Sequence, residues 1–202
     1  MTKGDETRQT ILSRAFELAT VIGVSGLTIG RLAEATGLSK SGLFAHFGSK
    51  EALEVAVVEE ASRQFVQEVM VPALAKPRGE PRVKALYDHW LLWGDRPGGC
   101  FFVGASAELD DRPGPPRDAL ARACKDWIDA LTTAAQIAVH EGHFRADLDA
   151  RQFAFELYGI MLATHTFSRF LHDRGARGHT QQAFDRLLSA SRPTAGSRRK
   201  SD

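Results

Sequence analysis

Ser39, Lys40, Ser41, His46 and Lys50 lie close together in the chain, with Phe44 among them. Each of the five polar residues offers a hydrogen-bond donor, and the small size of the serines leaves room for close approach. Side chains of this kind suit a surface that meets a phosphate-lined groove, where donors and cations find phosphate oxygens and base edges. Two short helices would position them. Thr28 can cap the first by accepting from the exposed amides of its first turn, and Ile29, Leu32 and Ala33 then share one face. Gly37 falls where the chain must turn sharply, and positive φ costs a glycine little. Leu38 is the apolar residue of the turn, Ser39 can cap the second helix, and Leu43 and Phe47 direct that helix back onto the first. Gly42 costs about 1 kcal/mol in a helix interior but removes a side chain where a DNA backbone would come near. This is the pattern of a helix-turn-helix, whose second helix lies in the major groove. The same spacing also suits a helical hairpin inside an ordinary all-α protein.

The run Leu43-Phe44-Ala45-His46-Phe47 followed by Gly48-Ser49-Lys50-Glu51-Ala52-Leu53 resembles the signature of the TetR family of bacterial transcriptional regulators. The resemblance covers about the first quarter of the chain specifically and the remainder more loosely. It implies an operator-binding head in which Thr28, Lys50 and main-chain amides hold phosphates. Ser39, Lys40 and Ser41 are then best placed for base edges, and His46 lies within reach of phosphates at the far end. The family pattern usually has tyrosine where this chain has Phe44, so one phosphate hydrogen bond is missing while the packing role remains.

The chain has 202 residues, 43% hydrophobic and 25% charged, with a net charge of +1, the balance of a soluble globular protein. Any basic patch must therefore be local. Two cysteines, Cys100 and Cys124, are too few and too isolated for a disulfide scaffold or a zinc site. No apolar run approaches the ~20 residues needed to span a bilayer, and the first ten residues lack the apolar core of a signal peptide. A cytoplasmic protein is expected.

Helical periodicity predicts a first helix over 5–23, which the resemblance implies braces the helix-turn-helix. A fourth, capped by Ser49, should run to about Leu74, with Pro72 kinking or ending it. Further helices are expected over 82–95, 100–109, 117–141 and 150–172, the last opened by Asp149 and Gln152 in a capping-box arrangement. Thr180 is expected to begin a short final helix. The tail from Arg192, including Arg198-Arg199-Lys200, has a disordered composition. The arrangement of Gly98-Gly99-Cys100-Phe101-Phe102 with Ala107-Glu108 and Asp110-Asp111 looks like one branch of TetR-like regulators.

A ring-rich set follows: Phe65, Met70, Trp90, Trp93, Phe101, Phe102 and Trp127. Such residues serve either as an ordinary core or as the wall of an apolar cavity, and the resemblance favours a cavity for a small organic effector. His89, Cys100, Tyr158 or His165 would supply its polar groups. The resemblance also implies that the last two helices pair with their copies in a twofold bundle. Ala154, Leu157, Met161, Thr164, Phe184 and Leu188 form the expected dimer stripe. His140-Glu141-Gly142-His143 lacks metal-ligand spacing and a third ligand. Glu108, Asp110 and Asp111 read as a solvated helix end. Cys100 with His89 lacks the orienting group and oxyanion hole that nucleophilic catalysis needs.

The expected fold is thus all-α: a helix-turn-helix DNA-binding domain over 1–48, a helical effector-binding and dimerisation domain over 49–191, and a tail over 192–202. The expected activity is transcriptional regulation, by repression, of a pseudo-palindromic double-stranded operator under control of a small apolar effector. No cofactor, metal, membrane or catalytic role is expected. The competing reading is an apolar-ligand carrier or sensor that acts through a protein partner.

Overall fold

The computed structural model describes residues 3–194, and every regular element among them is helical. In chain order these are α1 (Lys3–Ile22), α2 (Ile29–Thr36), α3 (Lys40–Phe47), α4 (Lys50–Phe65), a π-helical turn (Val66–Met70), α5 (Val71–Leu74), α6 (Glu80–Gly94), α7 (Phe101–Leu109), α8 (Pro115–His140), α9 (Ala150–His165), a second π-helical turn (Thr166–Phe170) and α10 (Ala176–Ser191). The described residues fall into two compact units, one of 3–67 with 95–124 and one of 68–94 with 125–194. The tail basic cluster, Arg198-Arg199-Lys200, lies outside the described residues.

In the first unit α1 packs against α2, α4 and α7, while α2 and α4 also meet α3. Ile11, Leu12, Ala15, Phe16 and Ala19 form the buried stripe of α1, joined by Leu27, Leu32, Leu43, Leu53 and Val57. Phe16 and Phe101 meet at 5.6 Å in a tilted pair, with the Arg96 guanidinium 5.2 Å over the Phe16 ring. Gly98 (φ +90°) allows this close approach: a β-carbon there would stand 2.1 Å from the Thr20 carbonyl oxygen.

In the second unit α5 packs on α6 and α9 on α10. Tyr87, Trp90, Trp93, Phe144, Phe153, Leu157, Met161 and Phe184 are its large buried side chains. Thr164 and Thr180 share a buried hydroxyl–hydroxyl hydrogen bond of 2.8 Å between α9 and α10.

Several element boundaries differ from the sequence expectation; the helix expected over 150–172, for one, ends at His165 and opens into the π-turn at Thr166–Phe170. The helix expected to run unbroken from Ser49 to Leu74 opens into a π-turn at Val66–Met70 before Pro72. Proline supplies no amide and crowds the carbonyl four residues back, here that of Glu68 inside the widened turn. The last helix starts at Ala176 rather than Thr180. Gly178 sits in its first turn, where amides need no intrahelical acceptor, so the glycine does not break it. Arg192, at the start of the expected tail, is held by Glu80, with Nε donating to Oε2 at 2.9 Å.

Candidate nucleic-acid interface

The sequence builds the reading helix locally. Thr28 caps α2, its hydroxyl accepting from the Arg31 amide at 3.2 Å. Gly37 ends α2 in the left-handed region (φ +70°), its amide donating to the Ala33 carbonyl. Ser39 caps α3 by accepting from the Gly42 amide at 3.1 Å, and Ser49 caps α4 by accepting from Ala52. With Leu43 and Phe47 buried, α3 turns Lys40, Ser41, Phe44 and Ala45 outward.

The structure brings Thr28, Ser39, Lys40 and Ser41 together as exposed residues at the adjoining starts of the two helices. Lys40 reaches back over α2: a β-carbon on Gly30 would lie 3.7 Å from its Cε and 3.9 Å from its Nζ. Phe44 is 57% exposed, a large apolar ring turned away from the core. His46 is half-buried in the last turn of α3, where the helix dipole favours positive charge. Lys50 is exposed too, and its ammonium already has partners within the protein. Its Nζ donates to the Ser25 carbonyl at 2.8 Å and lies 3.6 Å from Glu54 Oε1.

Two cations of the head escaped the sequence reading. Arg8 of α1 stands 5.5 Å over the Phe47 ring, and Arg31 is exposed on α2, donating to the Gly26 carbonyl. A lone arginine in an amphipathic helix carries no distinguishing signal; its place beside α3 comes from tertiary packing.

Of the residues expected to line an effector cavity, Phe65, Cys100 and Phe102 belong to the first unit. Phe65 and Phe102 meet edge-to-face at 5.4 Å, and buried Cys100 precedes the first turn of α7. In the second unit Trp90, Trp93 and Trp127 are buried, whereas Met70, His89, Tyr158 and His165 are half-buried. Burial pushes the His165 imidazole below the usual histidine range, and Arg169 adds to the shift.

The six residues of the expected dimer stripe are buried within the single chain, although Thr164 also lines the outward cleft between the same two helices. Ala154, Leu157 and Met161 are fully buried, Thr164 bonds Thr180, and Phe184 and Leu188 face inward on α10. The outward side of the same two helices carries a cleft of about 900 Å³ lined by Gly159, Ile160, Ala163, Phe167, Ala183 and Ala190, with Glu156, His179 and Arg186 at polar positions. Phe155 is 72% exposed on this helix. None of the ten expected effector residues lines that cleft.

The acidic and histidine clusters have structural partners. His143 Nδ1 accepts from the Glu80 amide, and Glu141 takes the Arg78 guanidinium at 2.8 Å. Glu108, expected on a solvated helix end, instead accepts from the Val24 and Ser25 amides. Among the described residues no group of three or more metal-ligating side chains assembles, and no helix is long and apolar enough to cross a membrane.

Residues 11–57 match the family described as "Bacterial regulatory proteins, tetR family", and residues 79–184 match "Tetracyclin repressor-like, C-terminal domain". The chain is 37% identical over 86 residues to the HTH-type transcriptional repressor AcnR of Corynebacterium efficiens, a stretch covering 42% of this chain and 45% of that repressor. Its fold resembles that of a TetR-family transcriptional regulator from Cytophaga hutchinsonii (TM-score 0.85, 21% identity, covering 96% of this chain and 98% of that one). It also resembles AibR, solved in complex with isovaleryl coenzyme A and operator DNA (TM-score 0.71, 22% identity, covering 93% and 99%). The second family match alone spans more than half of the sequence, and with the helix-turn-helix geometry it assigns the chain to the TetR family of bacterial transcriptional regulators.

Proposed function

We propose that this protein is a dimeric transcriptional repressor whose operator affinity is set by a small, largely apolar effector. The observation that carries the reading is the exposed face of α3, with Ser39, Lys40 and Ser41 at its start and only Leu43 and Phe47 turned inward. The domain division is functional: 1–48 reads DNA, and 49–191 binds the effector and the second copy.

Ser39, Lys40 and Ser41 touch base edges, while Thr28, His46 and the amides at the start of α2 meet phosphates. A second copy docks on the outward cleft of α9 and α10. Gly159, Ala163, Ala183 and Ala190 let helices approach closely there, and two heads then read two half-sites related by a twofold axis. The effector sits among Trp90, Trp93 and Trp127, with His89, Tyr158 and His165 as polar contacts. AibR, bound to an acyl coenzyme A and operator DNA, is a precedent for such control. The effector releases DNA only if it prefers the non-binding state.

The test is binding of the purified protein to genomic fragments centred on its own upstream region, titrated with salt. Protection of a near-palindromic site with steep salt dependence is the expected result. Weak binding, alike for every sequence, would favour the rival reading of a ligand sensor with a protein partner. Phe44, lacking the hydroxyl that would meet a phosphate, is the observation on that rival's side.

A further inference from the structure

Ser25 lies in the loop between α1 and α2, three residues before the Thr28 cap, and all three of its polar groups are engaged from other parts of the first unit. Its amide donates to Glu108 Oε1 at 2.5 Å, beside the Val24 amide, which donates to Oε2 at 2.7 Å. Its carbonyl accepts from Lys50 Nζ at 2.8 Å. Its hydroxyl accepts from Arg112 Nη1. Arg112 in turn reaches buried Glu54 at 3.2 Å through Nη2, and Lys50 lies 3.6 Å from the other oxygen of that carboxylate. The loop is shaped to admit the grip. Gly23 turns with φ +81°, and a β-carbon there would stand 2.9 Å from Glu108 Oε2.

The physical logic is local. Val24 is buried, so its amide needs an acceptor inside the protein. No helix supplies one, because α1 has ended and α2 has not begun. The acceptor comes from a carboxylate 84 residues away, on α7. A charged acceptor shared by two consecutive amides fixes both peptide planes more firmly than a neutral one would. Fixing those planes fixes where Leu27 enters the core and where Thr28 starts α2, and α3 packs on α2.

We infer that Glu108 is a positioning residue for DNA reading: it touches no DNA but sets the start of α2, and through α2 the presentation of α3. The inference rests on the operator-binding function proposed above. It makes a prediction opposite in sign to simple electrostatics. Removing a negative charge from a DNA-binding protein raises affinity for a polyanion. Removing Glu108 lowers it.

The experiment compares wild type, Glu108→Gln and Glu108→Ala in two measurements. Amide hydrogen exchange is followed at Val24, Ser25 and the α9–α10 core, and affinity is measured for the fragment that wild type protects. In Glu108→Ala, exchange at Val24 and Ser25 should accelerate about tenfold or more while the α9–α10 amides are unchanged. Operator affinity should fall about tenfold. Glu108→Gln keeps one acceptor oxygen and should fall between wild type and alanine; it decides the sign if the alanine variant does not fold. Equal or tighter DNA binding by a folded variant would overturn the positioning role, as would unchanged exchange at the two amides. If wild type protects no site, the operator reading fails by itself, and exchange still judges the grip on the loop.

Discussion

The rings of Tyr87 and Phe184 stack 3.7 Å apart and 17° from parallel, joining α6 to α10 within one unit. Phe184 is thus a core residue, and it has no surface left for a second copy. Phe184→Ala should destabilise the chain by about 3–5 kcal/mol, seen as a lowered denaturation midpoint. At temperatures where the variant stays folded, its oligomeric state should match wild type.

The outward cleft makes the complementary prediction. A β-carbon on Gly159 meets nothing within 4 Å, so Gly159→Leu fits the single chain and improves helix propensity by up to about 1 kcal/mol. A leucine there blocks close approach of another helix. On the proposed dimer, sedimentation should show dimers for wild type and monomers for the variant, with helicity kept. Operator affinity should drop because the two half-site contacts are no longer linked.

Lys40 and Lys50 should separate cleanly. Lys40→Ala should leave stability within about 0.5 kcal/mol, as for other exposed surface positions, while weakening operator binding about tenfold. Lys50→Ala removes the donor to the Ser25 carbonyl and one of the two cations beside Glu54. Lys50 is about half exposed, so water screens these contacts and the loss should be on the order of 1 kcal/mol of stability, read by thermal denaturation of the two variants side by side.

Phe44→Tyr adds a hydroxyl to a ring that is already 57% exposed, so no buried polar group is created. One new phosphate hydrogen bond is worth about 1 kcal/mol. A several-fold gain in operator affinity with unchanged stability is expected in a DNA titration.

Glu80 gives a pH dependence. The Arg192 hydrogen bond, with Lys84 adding to it and burial opposing it, lowers its pKa from 4.5 to about 2. Its stabilisation is complete above pH 4.5 and fades as pH falls toward 2. Arg192 is about half exposed, so water screens the pair and the contribution is on the order of 1 kcal/mol. Glu80→Gln should lose that amount at neutral pH and show a flatter acid limb, measured by denaturation across pH.

Legibility in the sequence followed the range of each interaction. The caps at Thr28, Ser39, Ser49 and Asp149, and the turn at Gly37, act within three or four residues, so residue type and spacing declare them. The two stripes of α9 were harder to rank. Leu157 with Met161 and Gly159 with Ala163 both repeat at four residues and are both apolar or small, so periodicity alone does not say which packs inside. Lys50 has the charge and the position of a phosphate ligand, and only the tertiary fold reveals the Ser25 carbonyl in front of it. Glu108 was the least legible. A carboxylate that accepts from backbone amides more than eighty residues away leaves no pattern at either end.

The grip on Ser25 also limits how far the DNA reader can be treated as a portable module. A chimera that transplanted residues 1–48 onto a foreign scaffold would keep Thr28 and all of α3. It would leave behind Lys50, Glu54, Glu108 and Arg112, and with them every side chain that holds the three polar groups of Ser25. A faithful graft must carry α4, α7 and the turn after it, so the smallest transferable reader is discontinuous in sequence.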